Sequence, residues 1–464
     1  MYSVLRMTDL KSIGDKLSAI LKKQNADYIE AHLEENHVSY ISYRGRLLES
    51  VSKSTSVGGN VRALVKGGWG FVSFNEFDNL NDKVSLAVKQ ARFIGKEKSL
   101  LAAIKPVVID IIPHLKEDPL SIPLSDKKRL LDEYNDAIWQ TSGIQTSVIG
   151  YGDSRKKSLF LNSEGSFITQ ERADVTLRAA AVAAKNGEVQ QCGISTGCRD
   201  DYNPIRNLHK EIADVARRAV DILNSPSMSG GKYTVVLDPI LAGVFVHEAF
   251  GHLSESDFVY ENPQLRELMT LGKTFGKPIL NIVDSAADAG LRGSFAYDDE
   301  GSPSTKSYLI GEGKLVGRLH SRETAAKMGE KPTGNARAVS FRYPPIVRMT
   351  NTYIENGNTR FNDMIADIKE GVYAKNWYGG TTSMEMFTFS SGETYMIRNG
   401  KIAESVRPIV LTGNVFETLM NIDAIGNDID MNQGGGCGKG GQSPLPVSNG
   451  SPHIRIQDCL VGGG

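Results

Sequence analysis

The sequence predicts an α+β protein: an α/β N-terminal part with a repeated α-β-α plan, then a mainly β C-terminal domain that carries a buried, histidine-bearing helix. Three observations lead there. Amphipathic helical patterns flank β-branched runs twice before residue 225; NSPSMSGGK at 224–232 has linker composition; beyond it, short strands separated by glycine turns take over. At 464 residues the chain exceeds what one hydrophobic core usually serves, and the expected domains are 1–105, 106–225 and 232–464.

Residues 8–24 place Leu10, Ile13, Leu17, Ile20 and Leu21 at helical period, which predicts an amphipathic surface helix. Strands are expected at 28–33, 38–43, 47–54, 61–65 and 69–74, the last two joined by the turn Lys66-Gly67-Gly68, and a helix over 81–94 closes the unit. A charged connector containing Pro106, Pro113, Pro119 and Pro123 follows. The same order then returns: a helix over 126–140, strands at 145–151, 158–162, 166–171, 174–183 and 188–192, and a helix over 208–223. VRALVKGGWGFVS and LRAAAVAAKNGEVQQ, each a strand, a glycine turn and a strand, suggest a duplicated plan on thin sequence identity.

Beyond the linker, Tyr233–Leu237 (YTVVL) reads as a strand feeding a helix whose N-cap acid is Asp238 and whose first residue is Pro239. That helix is expected to run to about Phe250 and is apolar nearly all round, as a buried element would be. After residue 270 helices become scarce, and hairpins are expected at 308–318 and 384–404, the latter around Asn399-Gly400, with a further strand at 346–351. The buried helix should pack against or inside this β domain.

Lys+Arg of 53 against Asp+Glu of 54 leaves a net charge of −1, which favours neither nucleic acid nor an anionic membrane as a partner. No apolar run approaches the roughly 18 residues of a membrane span, and the first residues lack a signal-peptide core. Four cysteines in so long a chain do not make a disulfide framework, so a cytoplasmic location is expected. Cys192 and Cys198, spaced C-x5-C, read as structural; Trp69 and Trp377 read as core or interface residues. GGGCGKGG is not a phosphate loop, because Gln433 stands where its first glycine is needed and Gly440 where its Ser or Thr is needed.

The chemistry concentrates in DPILAGVFVHEAFGHLSESD, residues 238–257, which sets His247, Glu248 and His252 in apolar surroundings. Two histidines beside a carboxylate are a set whose desolvation a transition metal compensates. The i, i+5 interval puts the rings about 140° apart on a regular helix, against about 40° for the i, i+4 pair of the usual zinc-protease signature. Gly251 offers relief, through a left-handed residue or a one-residue bulge. A catalytic zinc takes three protein ligands and an open position. Candidates for the third are Cys437, His320, His453, Glu255, Asp257, Asp299 and Glu300; Cys437 is favoured, because its glycine neighbours permit close approach and Lys439 beside it would favour the thiolate.

On VHEAFGH at 246–252, YDDEGSPS at 297–304, TGNAR at 333–337, CGKGGQ at 437–442 and the C-terminal VGGG, the chain resembles the TldD subunits of the TldD/PmbA (TldE) metalloprotease family over essentially its whole length. The resemblance implies zinc held by His247, His252 and Cys437, peptidase action on unfolded or linear peptides, and a dimer of a TldD-like with a TldE-like subunit, with a homodimer left open. It implies no nucleic-acid partner. The expected mechanism is peptide hydrolysis with Glu248 as general base on a zinc-bound water. An extended peptide added to an exposed strand edge would account for broad specificity. The alternative is a non-catalytic regulatory or binding subunit with a structural metal, closed by a fourth ligand such as His320 or His453.

Overall fold

A computed structural model describes residues 8–95 and 100–463; the start of the expected first domain and the last glycine of VGGG lie outside the described residues. The helix-strand-helix plan occurs twice. Helices Leu10–Leu21 and Leu80–Ile94 bracket strands Tyr28–Arg44, Leu47–Val65 and Gly68–Phe74; helices Leu124–Trp139 and His209–Asn224 bracket strands Ile144–Asn162, Phe167–Lys185 and Glu188–Arg199. All six strands, with the short Val108–Ile111, form one seven-stranded sheet. The halves join where Tyr28–Arg44 pairs antiparallel with Ile144–Asn162, from Glu30 opposite Asn162 to Arg44 opposite Val148.

Each half therefore has three long strands where the sequence suggested five short ones. The expected breaks at 34–37 and 152–157 fell on charged stretches, which stay in the ladder because their charges meet counter-charges: Lys156 on Glu34 at 2.5 Å, Arg155 and Lys157 on Glu171 at 3.2 and 3.4 Å. Alternation along Tyr28–Arg44 sets the layers. Ile29, Ala31 and Leu33 enter the core of the first helix pair, and Ile41 and Tyr43 that of the second, so both pairs cover one face of the sheet. The opposite face, with Asn36, Val38 and Tyr40, lines a cleft of about 770 Å³ facing the C-terminal part.

In the C-terminal part, strands Gly231–Leu237, Ile454–Gly462, Val410–Asn414, Met386–Arg398 and Glu370–Ser383 pair in that order, and Glu370–Ser383 returns to Gly231–Leu237, closing a ring. A six-stranded sheet includes Ile282–Ser285, Asn351–Ile354 and Ser448–Ser451. Helix Pro239–Val246 lies between the two, touching Ser448–Ser451 on one side and Glu370–Ser383 on the other, with the Phe245 ring edge-on to Phe387 at 5.3 Å. A separate two-stranded hairpin, Gly436–Lys439 with Gln442–Pro446, carries Cys437. No helix among the described residues is long and apolar enough to cross a membrane.

Candidate metal centre

Asp238 caps the buried helix as its sequence position suggested: its Oδ1 accepts from the amides of Leu241 at 2.9 Å and Asn376 at 3.0 Å. The α-helix ends earlier than expected, at Val246. His247–Gly251 is a π turn, in which the His252 amide donates to the His247 carbonyl. One wider turn carries the chain through five residues, so the i, i+5 histidines that a regular helix would splay apart face each other, ring centroids 5.4 Å apart. The relief is thus a bulge and not a left-handed residue, since Gly251 keeps φ −58°. Glycine is required there for space: a Cβ would fall 2.1 Å from Met349 Sδ. Gly251→Ala is accordingly expected to displace Met349 and loosen the turn, lowering the melting temperature by the equivalent of about 1–3 kcal/mol and weakening metal uptake, read by thermal denaturation and metal titration.

Cys437 arrives from the hairpin, facing Leu445 across the ladder. Arg348 clamps both strands, donating to the carbonyls of Cys437 at 2.8 Å and Gln442 at 3.1 Å. The ligand-type atoms of His247, His252 and Cys437 all lie within 4.8 Å of one another, and Cys437 Sγ is 3.5 Å from His252 Nε2. His247 is buried and its Nδ1 has no hydrogen-bond partner among the described residues. Burial pushes the Cys437 thiol up, but His247 and His252 outweigh it and bring it down to about 5. Lys439 was expected to favour that thiolate, and this is corrected: its ammonium is spent on Asp257 at 2.6 Å, Glu255 at 3.1 Å and the Val347 carbonyl.

Glu248 stands beside the cluster, its side chain 36% exposed and Oε2 3.9 Å from His252 Nε2. Glu255, considered as a ligand from sequence, instead accepts from His252 Nδ1 at 3.0 Å. That bond holds a proton on Nδ1 and turns Nε2 toward Cys437, so Nε2 is the nitrogen a cation would take in place of its proton. Burial raises the Glu255 carboxyl, but Lys439 and His252 more than reverse this and hold it below the ordinary range. The His-x-x-Glu spacing carried a signal for this role; Arg348 and Met349, far along the chain, carried none. Glu255→Gln should weaken metal affinity about 10–100-fold, measured against a competing chelator.

The other candidate ligands are elsewhere. His320 contacts Glu330 and Thr324; His453 contacts Asp428 and Tyr373; Asp257 holds Lys439. Asp299 caps the Ala338 amide, and Glu300 pairs with Arg62 at 2.6 Å while accepting from the Arg322 amide, so the 297–304 loop ties the N-terminal sheet to the C-terminal part. Cys192 and Cys198 are buried free thiols. Trp69 lies at that same junction, under Arg62 and donating to Glu323, whereas Trp377 is exposed on a hairpin, neither core nor interface within this chain.

Family profiles describing PmbA/TldA metallopeptidase domain 1, central domain and C-terminal domain match residues 30–94, 117–224 and 230–463. A metalloprotease of Synechocystis sp. is 49% identical over 95% of this chain and 96% of its own. The chain belongs to the PmbA/TldD metallopeptidase family. This PmbA/TldD metallopeptidase is also 31% identical, over 89% of its length and 91% of the relative's, to a protein of Saccharolobus solfataricus named a zinc metalloprotease TldD homolog. Its fold matches a crystal structure from Thermotoga maritima described as a modulator of a DNA gyrase, with TM-score 0.80 and 19% identity over 97% of this chain and 99% of that one. TldE from Thermococcus kodakarensis shares the fold with TM-score 0.74 and 17% identity over 98% of this chain and 99% of its own.

Proposed function

We propose that this metallopeptidase is zinc-dependent and hydrolyses linear or unfolded peptides, with His247, His252 and Cys437 as ligands and Glu248 as general base. The observation that carries the reading is the convergence of two imidazoles and one thiol within 4.8 Å, from segments 185 residues apart in the chain. The donor set suits zinc: an unpaired buried nitrogen on His247 and a thiol depressed by two neighbouring rings are groups whose isolation a cation would relieve. Three protein donors are the complement of a catalytic site, and His320 and His453, the candidates for closing a structural one, are engaged elsewhere. Zinc, when bound, lowers the pKa of water and polarises the scissile carbonyl.

The chain's own groups do the rest. Glu248 Oε2, on the solvent-facing side of the π turn, takes the proton from the attacking water and passes it to the leaving amine. His252 keeps its Nδ1 proton on Glu255 throughout, so its ring does not rotate. The cleft between the sheet and the Cys437 hairpin, lined by Tyr40, Arg178, Gly434 and Pro444, supports the substrate class: at about 770 Å³ it has room for several peptide residues. A TldE-like partner is proposed from the shared fold, with a homodimer as the other outcome, and a cytoplasmic setting from four unpaired cysteines.

The test is to incubate the purified chain, alone and with a TldE-like subunit, with an unfolded polypeptide and its folded counterpart, with and without a chelator, and to read products by mass spectrometry. Chelator-sensitive cleavage of the unfolded form alone is expected. A chain that binds metal stoichiometrically yet cleaves nothing in either setting is the non-catalytic subunit instead.

A further inference from the structure

A recess of about 60 Å³ opens off the large cleft, and Lys156 and Arg172 line both. Arg199 and Arg337 complete a wall with three guanidinium groups, closed by Phe295 and Leu445. The volume admits a carboxylate and a few waters.

Its positive charge is poorly balanced from within. The Arg172 side chain has no ion-pair or hydrogen-bond partner among the described residues, and it stands directly across the ladder from Lys156, an unfavourable like-charge pair of which only Lys156 has a partner, Glu34. Arg337 is 3% exposed, donates to the carbonyls of Met349 and Pro446, and has no carboxylate at ion-pair distance among the described residues. Arg199 holds Asp200 through Nε at 3.0 Å, while its buried Nη1 has no hydrogen-bond partner. The acids of the same wall are already engaged: Glu171 by Arg155 and Lys157, Asp298 by the amides of Glu300, Ser302 and Ala336, and Asp299 by the amide of Ala338. Burial, and then the adjacent Arg172, weigh against the charge on Arg337 more than Asp299 and Asp284 support it, and burial with Arg172 does the same on Arg199 despite Asp200. Planar guanidiniums with spare donors at a desolvated wall match a carboxylate that arrives with a ligand.

We propose that this recess receives a carboxylate of the peptide substrate and so sets a preference for where the chain is cut. The proposal rests on the peptidase reading. Its geometric basis is Leu445, which lines the recess and pairs with Cys437, so the strand that walls the recess is the immediate neighbour, roughly 5 Å away, of the strand that bears the thiol. An acidic side chain and a C-terminal carboxylate offer the same chemistry, and the experiment separates them.

Fluorescence anisotropy with the full-length chain, alone and with a TldE-like subunit, would compare four dye-labelled peptides: a neutral amidated one, its free acid, and amidated versions carrying an internal Glu or Gln. At least one carboxylate peptide should bind about tenfold or more tighter than the neutral one. Arg172→Gln should remove that advantage and leave the neutral peptide unchanged, Arg172→Lys should restore part of it, and Arg199→Gln should weaken it. A gain confined to the free acid assigns the C-terminal carboxylate; one confined to the Glu peptide assigns a side chain. Equal affinities in the wild type, no binding of any peptide, or an advantage that survives Arg172→Gln overturns the proposal. Hydrolysis scored in parallel keeps the two readings apart: cleavage without carboxylate preference removes the recess and keeps the peptidase, and preference without cleavage keeps carboxylate binding but removes the peptidase and with it any role in placing the cut.

Discussion

Glu248→Gln is expected to lower peptide turnover by about 10²–10⁴-fold while metal content stays stoichiometric. The substitution is nearly isosteric, and the side chain is 36% exposed, so neither packing nor the adjacent His247 is disturbed. What is lost is the ability to hold a proton. An amide can still accept a hydrogen bond from water, so substrate binding should persist and the loss should appear in kcat with KM little changed. Initial rates at several substrate concentrations, alongside elemental analysis of the same sample, check both halves. A variant that turns over at the wild-type rate would remove Glu248 from the chemistry and leave the metal site in place.

Cys437→Ala should abolish turnover and weaken metal binding by at least about 10²-fold, more than the loss of an outer hydrogen-bond partner such as Glu255. Two imidazoles alone leave the cation short of its protein donors, and the hairpin offers no replacement, since Lys439 beside Cys437 is a cation held by Glu255 and Asp257. The fold should survive. Helix Pro239–Val246 is held by Phe245 against Phe387 and Phe389, and the hairpin by Arg348 across its two strands, none of which needs an ion. A circular-dichroism melt of the variant should therefore resemble that of the chelated wild type, both cooperative. Collapse of the fold on chelation would favour a structural metal; stoichiometric, wild-type metal binding by Cys437→Ala would remove the cysteine from the site.

Much of the architecture was legible from local pattern. The helices at 10–21, 80–94, 124–139 and 209–224 follow from apolar residues at helical spacing, and the cap at Asp238-Pro239 from its own chemistry. The strands were legible in kind but not in length. Glu34 and Lys156 look like loop residues when read along the chain, and remain strand because they pair with each other between neighbouring strands, though distant in sequence. The ring-closing strand Glu370–Ser383 escaped notice for a related reason: its outer half is Gly- and Thr-rich and exposed, and only pairing with Met386–Arg398 defines it.

By itself the sequence determined the family, the α+β class and which residue types could meet a metal, because composition, caps, periodicity and short motifs are local properties of the chain. Tertiary structure alone decided how the i, i+5 histidines face one another, through a π turn that has room only because Gly251 carries no side chain against Met349. It also decided that Glu255 orients His252 where it had been a candidate ligand, and that Lys439 serves two carboxylates and not the thiol. These are contacts between segments far apart in sequence. Their energies depend on distance and burial in three dimensions, which no window along the chain contains.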